Sequence, residues 1–257
     1  MKVTILGCGP SWGVPKIGGG WGDCDPGNPR NRRRRAGIVI EEAGTTILID
    51  TPPDLREALL ATGIARLEAV IFTHAHADHL HGIDDLRIPC VLLGRSIPAY
   101  GDAATLAEIQ ARFGYAISGS YHPGKNGYEF RAIIEPHEVS DHFTAAGMPI
   151  TAFQQDHGRK TSLGLRVGRF GYSTDVVALD EAAFAALNGV EVWMVDCMRR
   201  RPHPTHSHLE QTLHWIARVG PKRAILTHMD ESMDYATLCR ELPPGVEPAY
   251  DGMTIEL

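Results

Sequence analysis

The segment FTHAHADHLHG, residues 72–82, constrains the fold of this chain more than any other feature. It places four histidines and an aspartate directly after the apolar run AVIF, which is typical of a buried strand. With 13 histidines in 257 residues, the pattern H-x-H-x-D-H should arise by chance in roughly two chains per thousand of this composition. Imidazole and carboxylate ligands together suit zinc, manganese or iron, so the segment predicts a metal site at the end of a strand.

Residues two apart in extended backbone face the same side of a strand. His74 and His76 can therefore bind one cation, while Asp78 and His79, past the turn, face a second. A solvated polar turn is the alternative for this segment, and its density of histidines makes that alternative the weaker one. His81 lies one position beyond the pattern, so we expect it to be exposed or to support a ligand rather than to bind metal.

Potential ligands also follow other apolar runs of the chain. One aspartate or histidine comes directly after each of the runs TTILI, ITAFQQD, GRFGYST, VEVWMV and KRAILT, namely Asp50, His157, Asp175, Asp196 and His228. Taken singly, such a residue is more often a turn or cap residue than a ligand. When several buried strands end in polar groups, however, these groups can line one cleft at the sheet edge. Because five strands end in this way, we predict that these five residues line one cleft at the sheet edge.

The apolar runs themselves indicate an α/β fold. Short β-branched runs bounded by Gly, Pro and Asp are typical of strands, and fewer segments of helical spacing lie between them. This pattern favours two sheets packed together with helices outside, in a single domain over residues 1–257. Loops are predicted for residues 18–35 and for the Gly-rich stretch 114–127. Helices are predicted near residues 53–61, 102–113, 180–188, 207–219 and 233–241, the last four with Asp102, Asp180, Ser207 and Ser232 as N-caps.

The composition disfavours several classes of protein. A formal net charge of -6 argues against a general nucleic-acid or anionic-membrane binder, so we expect no membrane partner and disfavour nucleic acid. The five cysteines are scattered, without the paired spacing of a disulfide framework. No segment reaches the run of about 18 apolar residues that a membrane span needs. We therefore expect a cytoplasmic protein that does not span a membrane.

THAHADH resembles the H-x-H-x-D-H motif of the metallo-β-lactamase fold hydrolases, and the resemblance extends from Leu6 to the closing DGMTIEL. It implies an αββα sandwich, in which two mixed β-sheets pack face to face with helices outside, and two divalent ions, Zn or Mn. Asp50 would support the ligands from behind them. The implied ligands are His74, His76 and His157 for one metal, Asp78, His79 and His228 for the other, and Asp175 as the bridge.

A pair of divalent ions can turn a bridging water into hydroxide and hold the oxygens of a substrate during hydrolysis. This fold handles thioesters, β-lactams and phosphodiesters, so other residues must decide the substrate. His206 follows the Pro-rich loop RRPHPTH and can act as a proton donor, which an alkoxide leaving group needs and a thiolate does not. A solvent-facing histidine beside a helix cap is the alternative for His206. We count His206 and Asp78 as the catalytic residues.

The segment THSHLEQT resembles one subfamily, the phosphodiesterases that open phosphoribosyl 1,2-cyclic phosphate in carbon–phosphorus lyase pathways. The stretches LGCGPSWGVP, MVDC, LTH and DGM are also similar to it. The resemblance implies that His206 is a general acid. Members of this subfamily carry a C-x-C-x-x-C cluster for a structural zinc, whereas WGDCDPG keeps only Cys24. A lone cysteine cannot make that site, so we expect no third metal.

Basic residues supply the candidate contacts for a substrate phosphate. Lys160 follows the predicted ligand His157, and Arg199 precedes His206, so we expect both to bind a substrate phosphate. Five arginines, Arg30 and Arg32 to Arg35, favour a solvated loop or a surface salt-bridge patch over a phosphate or RNA docking site.

The leading hypothesis is a binuclear phosphodiesterase that hydrolyses a small cyclic phosphate, such as phosphoribosyl 1,2-cyclic phosphate or a cyclic nucleotide. A ribonuclease Z-like RNA endonuclease is an alternative, disfavoured by the acidic charge and by the lack of a long Gly/Pro-rich arm. A glyoxalase-type thioesterase is a second alternative. A non-catalytic metal-binding scaffold is a third, disfavoured because all seven ligand positions are filled. The expected partner is the small phosphorylated substrate, and a homodimer is left open.

Overall fold

The computed structural model describes residues 1–121 and 129–257 of the chain. Its helices are α1 (Leu55–Thr62), α2 (Ala77–Leu80), α3 (Arg87–Leu93), α4 (Ala103–Ser118), α5 (Glu181–Ala186), α6 (Leu209–Val219) and α7 (Tyr235–Glu241), with 3-10 turns at Pro29–Asn31 and Ile83–Leu86. Its strands are β1 (Lys2–Gly7), β2 (Gly37–Glu42), β3 (Thr45–Ile49), β4 (Ala69–Ile71), β5 (Ile97–Gly101), β6 (Ser120–Tyr121), β7 (Glu129–Phe130), β8 (Ile134–Glu138), β9 (His142–Ala145), β10 (Met148–Asp156), β11 (Thr161–Val167), β12 (Phe170–Ser173), β13 (Val192–Asp196), β14 (Arg223–Thr227), β15 (Val246–Pro248) and β16 (Thr254–Glu256).

The longer strands form two mixed sheets of seven strands each within the described residues. The first has the order β16-β1-β2-β3-β4-β5-β8, and the second has the order β15-β14-β13-β12-β11-β10-β9. In the first sheet, β3, β4, β5 and β8 are parallel neighbours, and the remaining pairs are antiparallel. In the second sheet, β12 to β15 are parallel and β9 to β12 are antiparallel. This confirms the predicted αββα sandwich.

Alternation along the strands assigns side chains to two apolar layers. Ile38 and Ile40 of β2 pack into the larger core, which both sheets share, whereas Val39 between them packs with helices α1, α3 and α4. The same division separates Ile47 and Ile49 from Leu48 in β3. Because successive side chains of a strand point to opposite faces, the first sheet buries both of its faces.

Helix boundaries confirm some predicted caps and correct others. Asp102 and Asp180 cap α4 and α5, as predicted, each accepting a hydrogen bond from a backbone N–H. Ser207 does not cap α6, because its hydroxyl donates to the carbonyl of Asp196 and the helix begins two residues later. Ser232 does not cap α7, because its hydroxyl donates to Asp230.

Asp234 caps α7 instead, accepting from the N–H of Thr237 at 2.8 Å. Helix α4 continues to Ser118, so the first part of the predicted loop at 114–127 is helical, and residues 122–128 lie outside the described residues. In the described ranges, no helix combines the length and the apolar character that crossing a membrane requires.

Parallel pairing brings the predicted strand ends to one edge of the sandwich. The parallel strands β12, β13 and β14 end just before Asp175, at Asp196 and just before His228. In the first sheet, β3 ends before Asp50 and is parallel to β4, which leads into the histidine segment. The carboxyl ends of parallel strands share one edge of a sheet, where clefts form outside it.

Candidate metal centre

Seven predicted ligands lie together where the two sheets meet, and we call this set the metal centre. The first sheet contributes four of them from the segment after β4, and the second sheet contributes the other three from the ends of β10, β12 and β14. Their ligand atoms form two groups, within each of which all atoms lie within 4.8 Å of one another. The groups are His74, His76, His157 and Asp175, and Asp78, His79, Asp175 and His228.

Asp175 belongs to both groups and is 1% exposed. Its Oδ2 lies 3.0 Å from Nε2 of His79, and its Oδ1 lies 3.4 Å from Nε2 of His228 and 3.8 Å from Nε2 of His74. Desolvation raises the pKa of Asp175, but the neighbouring imidazoles of His228 and His79 outweigh it and hold that pKa well below its usual range. One carboxylate therefore faces both groups, as a bridging ligand would.

The donor atoms fit divalent cations. Nε2 of His74 lies 3.0 Å from Nδ1 of His76, and Nε2 of His157 lies 3.1 Å from the same Nδ1, so three ring nitrogens face one another. In the second group, Asp78 Oδ2 and Nε2 of His228 are buried and lack a hydrogen-bond partner among the described residues. Buried polar atoms are normally paired. Burial also lowers the pKa of His74, which favours the neutral imidazole that a metal needs.

Asp50 supports the metal centre from behind. Its Oδ2 lies 2.8 Å from Nδ1 of His79, and its Oδ1 accepts the backbone N–H of Thr73 at 2.7 Å. Because Nδ1 of His79 faces this carboxylate, Nε2 faces Asp175, which is how carboxylates orient metal-binding histidines. Burial lowers the pKa of His79, but the carboxylates of Asp175, Asp78 and Asp50 outweigh it and raise that pKa well above its usual value.

Three of these strand-end residues have left-handed backbone. The φ angles are 64° at Asp50, 55° at Asp175 and 58° at His228. L-residues adopt this region rarely, and such positions persist where the surrounding structure holds them. The turn at each position directs a polar side chain into the centre.

His206 lies beside the metal centre and is 5% exposed, which excludes the solvent-facing alternative. Its Nδ1 lies 2.9 Å from Oδ2 of Asp196, and its Nε2 lies 3.8 Å from Oδ1 of Asp175. Its ring stacks on that of His228 with centroids 4.6 Å apart. Burial lowers the pKa of His206, but the Asp196 carboxylate outweighs it and raises that pKa to about 9. Asp196, His206 and His228 also form a third potential metal-binding group.

The two predicted phosphate-binding residues differ in their surroundings. The side chain of Lys160 is 52% exposed, and its Nζ lies 3.8 Å from Oε1 of Glu108. Lys160 and His74 line the same cavity of about 230 Å³. The guanidinium of Arg199 donates instead to the carbonyls of Arg201, at 3.1 Å, and Pro202, at 2.6 Å. Substrate binding by either residue stays a prediction.

His81 lies outside both ligand groups, as expected. It is exposed, its Nε2 lies 3.4 Å from Arg112, and its ring contacts that of Phe113 with centroids 5.5 Å apart. Arg112 also donates to the carbonyl of Ala75, between two predicted ligands. This contact was not predicted, because Arg112 lies in a helix far from the motif in sequence.

Arg33 lies beside Cys24, the cysteine that remains where the subfamily's C-x-C-x-x-C cluster was expected, and we call Arg33, Cys24 and Asn31 the arginine site. The Arg33 side chain donates to the carbonyl of Asp230 at 2.9 Å and to that of Met233 at 2.5 Å. It also lies 3.7 Å from Sγ of Cys24 and 3.4 Å from Oδ1 of Asn31. A guanidinium thus ties the first loop to the segment after His228.

The other arginines of this run also contact the chain. Arg30 lies over the rings of both Tyr235 and Tyr250, and Arg32 lies over the ring of Trp21. Arg34 donates to the carbonyl of Leu6, and Arg35 pairs with Asp54 at 2.9 Å. The prediction of a solvated loop or a surface salt-bridge patch is therefore wrong for Arg33, which is buried, but it agrees with the exposure of Arg30 and Arg32 and with the salt bridge of Arg35.

Comparison with known proteins agrees with this geometry. Residues 45–229 match the family model described as the β-lactamase superfamily domain. An octanoyltransferase of Porphyromonas gingivalis is 31% identical over 98% of this chain, and the chain spans about half, 51%, of that relative's length. A ribonuclease Z of Bradyrhizobium diazoefficiens is 38% identical over 53% of this chain and 44% of its own length.

A solved structure also matches the whole chain. The crystal structure of a diphosphatase from the PhnP family superposes with a TM-score of 0.88 at 32% identity, covering 100% of this chain and 97% of the other. The chain therefore belongs to the β-lactamase superfamily, with the donor set of a metal-dependent hydrolase, and within that superfamily it is similar to the PhnP family.

Proposed function

We propose that the chain is a phosphodiesterase that hydrolyses a small cyclic phosphate diester, such as phosphoribosyl 1,2-cyclic phosphate or a cyclic nucleotide. The observation that carries this proposal is the position of His206 between Asp196 and Asp175, at 2.9 Å and 3.8 Å. The similarity to a diphosphatase of the PhnP family supports chemistry at phosphorus.

The metal centre would hold two divalent ions, Zn or Mn, with Asp175 shared between them. Bound there, the ions would supply Lewis acidity toward phosphoryl oxygens and lower the pKa of a water molecule. Asp78 and the histidines of the centre would fix the positions of the ions. Asp50 would hold His79 in the orientation that the structure has.

His206 would donate a proton from Nε2 to the leaving oxygen as the ester bond breaks. The carboxylate of Asp196 accepts a hydrogen bond from Nδ1 of His206, which fixes the ring and leaves Nε2 directed toward the metal centre. Asp196 Oδ2 also accepts the backbone N–H of Val176 at 2.9 Å, so the carboxylate itself is held in place. A sugar alkoxide is a poor leaving group unless it is protonated, and a proton donor at this position meets that requirement.

Thioester hydrolysis is the second candidate, because one relative is an octanoyltransferase, a name that implies acyl chemistry. A thiolate leaves without protonation, so the buried Asp196–His206 pair favours the phosphodiester. An RNA substrate is favoured less, since the net charge of -6 opposes attraction of a polyanion. The partner we propose is a small phosphorylated molecule, with Lys160 as a candidate contact for a second phosphate.

The test is the variant His206→Ala, with metal content measured alongside turnover. A ribose cyclic phosphate should be hydrolysed ~100- to 10,000-fold more slowly, the usual effect of losing a general acid. A nitrophenyl diester, whose leaving group is already a stable anion, should lose far less. His214→Ala, at an exposed position of α6, is the matched control and should behave as the wild type.

Equal slowing of both substrates with metals intact would mean that His206 positions the phosphate instead of donating a proton. Unchanged hydrolysis of both phosphate substrates would mean that His206 takes no part in the reaction. Hydrolysis of an acyl thioester, with neither phosphate substrate hydrolysed by the wild type, would replace the phosphodiesterase by the thioesterase.

A further inference from the structure

The segment 199–206, which we call the histidine loop, is held in place from several sides. Arg199 donates to the carbonyls of Arg201 and Pro202 within the loop. The carbonyl of Thr205 lies 2.7 Å from Nδ1 of the predicted ligand His157. At both ends backbone hydrogen bonds close the loop, from Met198 N–H to the Ser207 carbonyl and from Leu209 N–H to the Arg199 carbonyl.

Gly158 lets the histidine loop approach the metal centre closely. A Cβ at this position would lie 2.7 Å from Cγ2 of Thr205 and 3.1 Å from the carbonyl oxygen of Pro204. The φ of Gly158 is +81°, a conformation that other residues rarely adopt. The loop is therefore packed directly against the residue that follows His157.

His203 lies in this loop between two prolines and has a defined tautomer. The backbone N–H of Thr205 donates to Nδ1 of His203 at 3.3 Å. A backbone N–H can only donate, so Nδ1 carries no proton and the proton of the neutral ring is on Nε2. Across the described residues, no hydrogen-bond partner is found for that Nε2–H. The ring of His203 lies 5.2 Å from the ring of His206, centroid to centroid.

We propose that His203 is a substrate-positioning residue, whose Nε2–H donates a hydrogen bond to a phosphoryl oxygen of the substrate held beside His206. The assignment rests on the proposed function for the identity of the substrate. Fixed prolines on both sides and the hydrogen bond at Nδ1 keep the donor oriented before substrate binds, which reduces the entropy lost on binding. The two histidines then have separate roles, one orienting the phosphate and the other protonating the leaving oxygen.

A purely structural role for His203 would use only Nδ1, which accepts from Thr205. Two substitutions separate the roles, because an Asn side chain can replace the acceptor at Nδ1, while a Gln side chain can reach the position of the donor at Nε2. His203→Asn keeps the loop contact and removes the donor. His203→Gln keeps a donor and removes the loop contact.

The experiment titrates inorganic phosphate into the metal-loaded protein by calorimetry and measures kcat/KM on a ribose cyclic phosphate. The His203→Asn variant loses one hydrogen bond to an anion, so it should bind phosphate about tenfold more weakly than the wild type. The affinity of His203→Gln for phosphate should stay within about threefold of the wild-type affinity. His214→Asn, at an exposed position outside the loop, is the control. Metal content should match among all variants, and thermal unfolding should match except for a small decrease in His203→Gln, which lacks the loop contact.

The reverse order, with His203→Gln impaired and His203→Asn normal, overturns the proposal and confines His203 to its loop. Equal effects of the two variants, or no effect of either, overturn it as well. If phosphate binding shows the expected order but no phosphodiester is hydrolysed, the proposed function fails while the assignment of His203 stands. If the cyclic phosphate is hydrolysed but the variants do not differ, the assignment of His203 fails while the proposed function stands.

Discussion

The metal centre and the arginine site are both buried and polar, and they differ in how their polar atoms are paired. In the metal centre, ring nitrogens and carboxylate oxygens face one another, and Asp78 Oδ2 and both ring nitrogens of His228 lack hydrogen-bond partners among the described residues. At the arginine site, both terminal nitrogens of Arg33 donate to carbonyls, and only its Nε lacks a partner.

This difference indicates which region needs a cation from outside the chain. Buried ring nitrogens and carboxylate oxygens that converge without hydrogen-bond partners are stabilised by metal ions, whereas carbonyls that converge on a guanidinium are already satisfied by the chain's own charge. The following predictions test this contrast, from the largest expected effect to the smallest.

Asp175→Ala should have the largest effect. Removing the shared carboxylate leaves two adjacent cations unshielded, so at least one metal equivalent should be lost and turnover should fall by at least about a thousandfold. Metal analysis and single-substrate kinetics check this. Asp84→Ala, at an exposed aspartate of the turn after α2, should keep both metals and activity. An Asp175→Ala protein with two tightly bound metals and normal turnover would contradict the bridging assignment.

Arg33→Met should destabilise the protein without changing its metal content. The substitution leaves the carbonyl of Met233 without its donor, while the carbonyl of Asp230 keeps one donor, the N–H of Met233 at 3.2 Å. The free energy of unfolding should therefore fall by about 1–3 kcal/mol. Arg32→Met is the matched control, since Arg32 is exposed and contacts Trp21 only as a cation over a ring, so its cost should stay below about 1 kcal/mol.

Denaturant unfolding of the two variants, with metal analysis, measures this contrast. If Arg33→Met unfolds as the wild type does, the guanidinium does not hold the loop. If the variant loses a metal equivalent, the two regions are not separate.

Asp251 is a partly buried carboxyl group next to Arg34, and the charge of Arg34 only partly offsets the effect of burial on it. It accepts the backbone N–H groups of Cys8 and Arg34, at 3.2 and 2.8 Å, and burial raises its pKa to about 6. Between about pH 4 and pH 6 the folded protein keeps a proton that the unfolded chain releases. The free energy of unfolding should therefore fall by about 3 kcal/mol as pH rises through this window, and this contribution should be flat above it.

Asp251→Asn should remove this part of the pH dependence. The measurement is denaturant unfolding of metal-free wild type and variant between pH 4 and pH 7, and the difference between their curves isolates Asp251. Parallel curves would show that Asp251 stays ionised throughout.

Lys160 and Arg199 should give the smallest effects and should differ from each other. Lys160→Gln should raise KM about fivefold for a diester that carries a second phosphate and leave a simple diester unchanged, because the exposed ammonium binds only that phosphate. Arg199→Gln should raise KM for both substrates, since the guanidinium of Arg199 supports the histidine loop. Equal losses for the two substrates in Lys160→Gln would count against a phosphate contact.

Much of the fold and of the metal centre can be predicted because the information is local. An apolar run that ends in Asp or His is visible in the sequence, and parallel pairing brings such ends together whatever lies between them. That is why Asp175 and His228 were both expected at one cleft, although 52 residues lie between them in the sequence.

Other features depend on partners that no local pattern reveals. The burial of Arg33 follows from the carbonyls of Asp230 and Met233, about 200 positions away. Ser207 looked like a helix cap, but its hydroxyl is taken by the carbonyl of Asp196. His203 carries one usable signal, since prolines on both sides rigidify it, but its proximity to the centre depends on Gly158.

The left-handed backbone at Asp50, Asp175 and His228 directs their side chains into the site, but it lowers the stability of the fold. An L-residue in this conformation costs about 1–2 kcal/mol relative to glycine. A chain selected for stability alone would carry glycine at these three positions. That replacement would raise the melting temperature but would remove two ligands of the metal centre and the carboxylate that orients His79. Engineering toward thermostability and engineering toward catalysis therefore favour opposite residues at the same three positions.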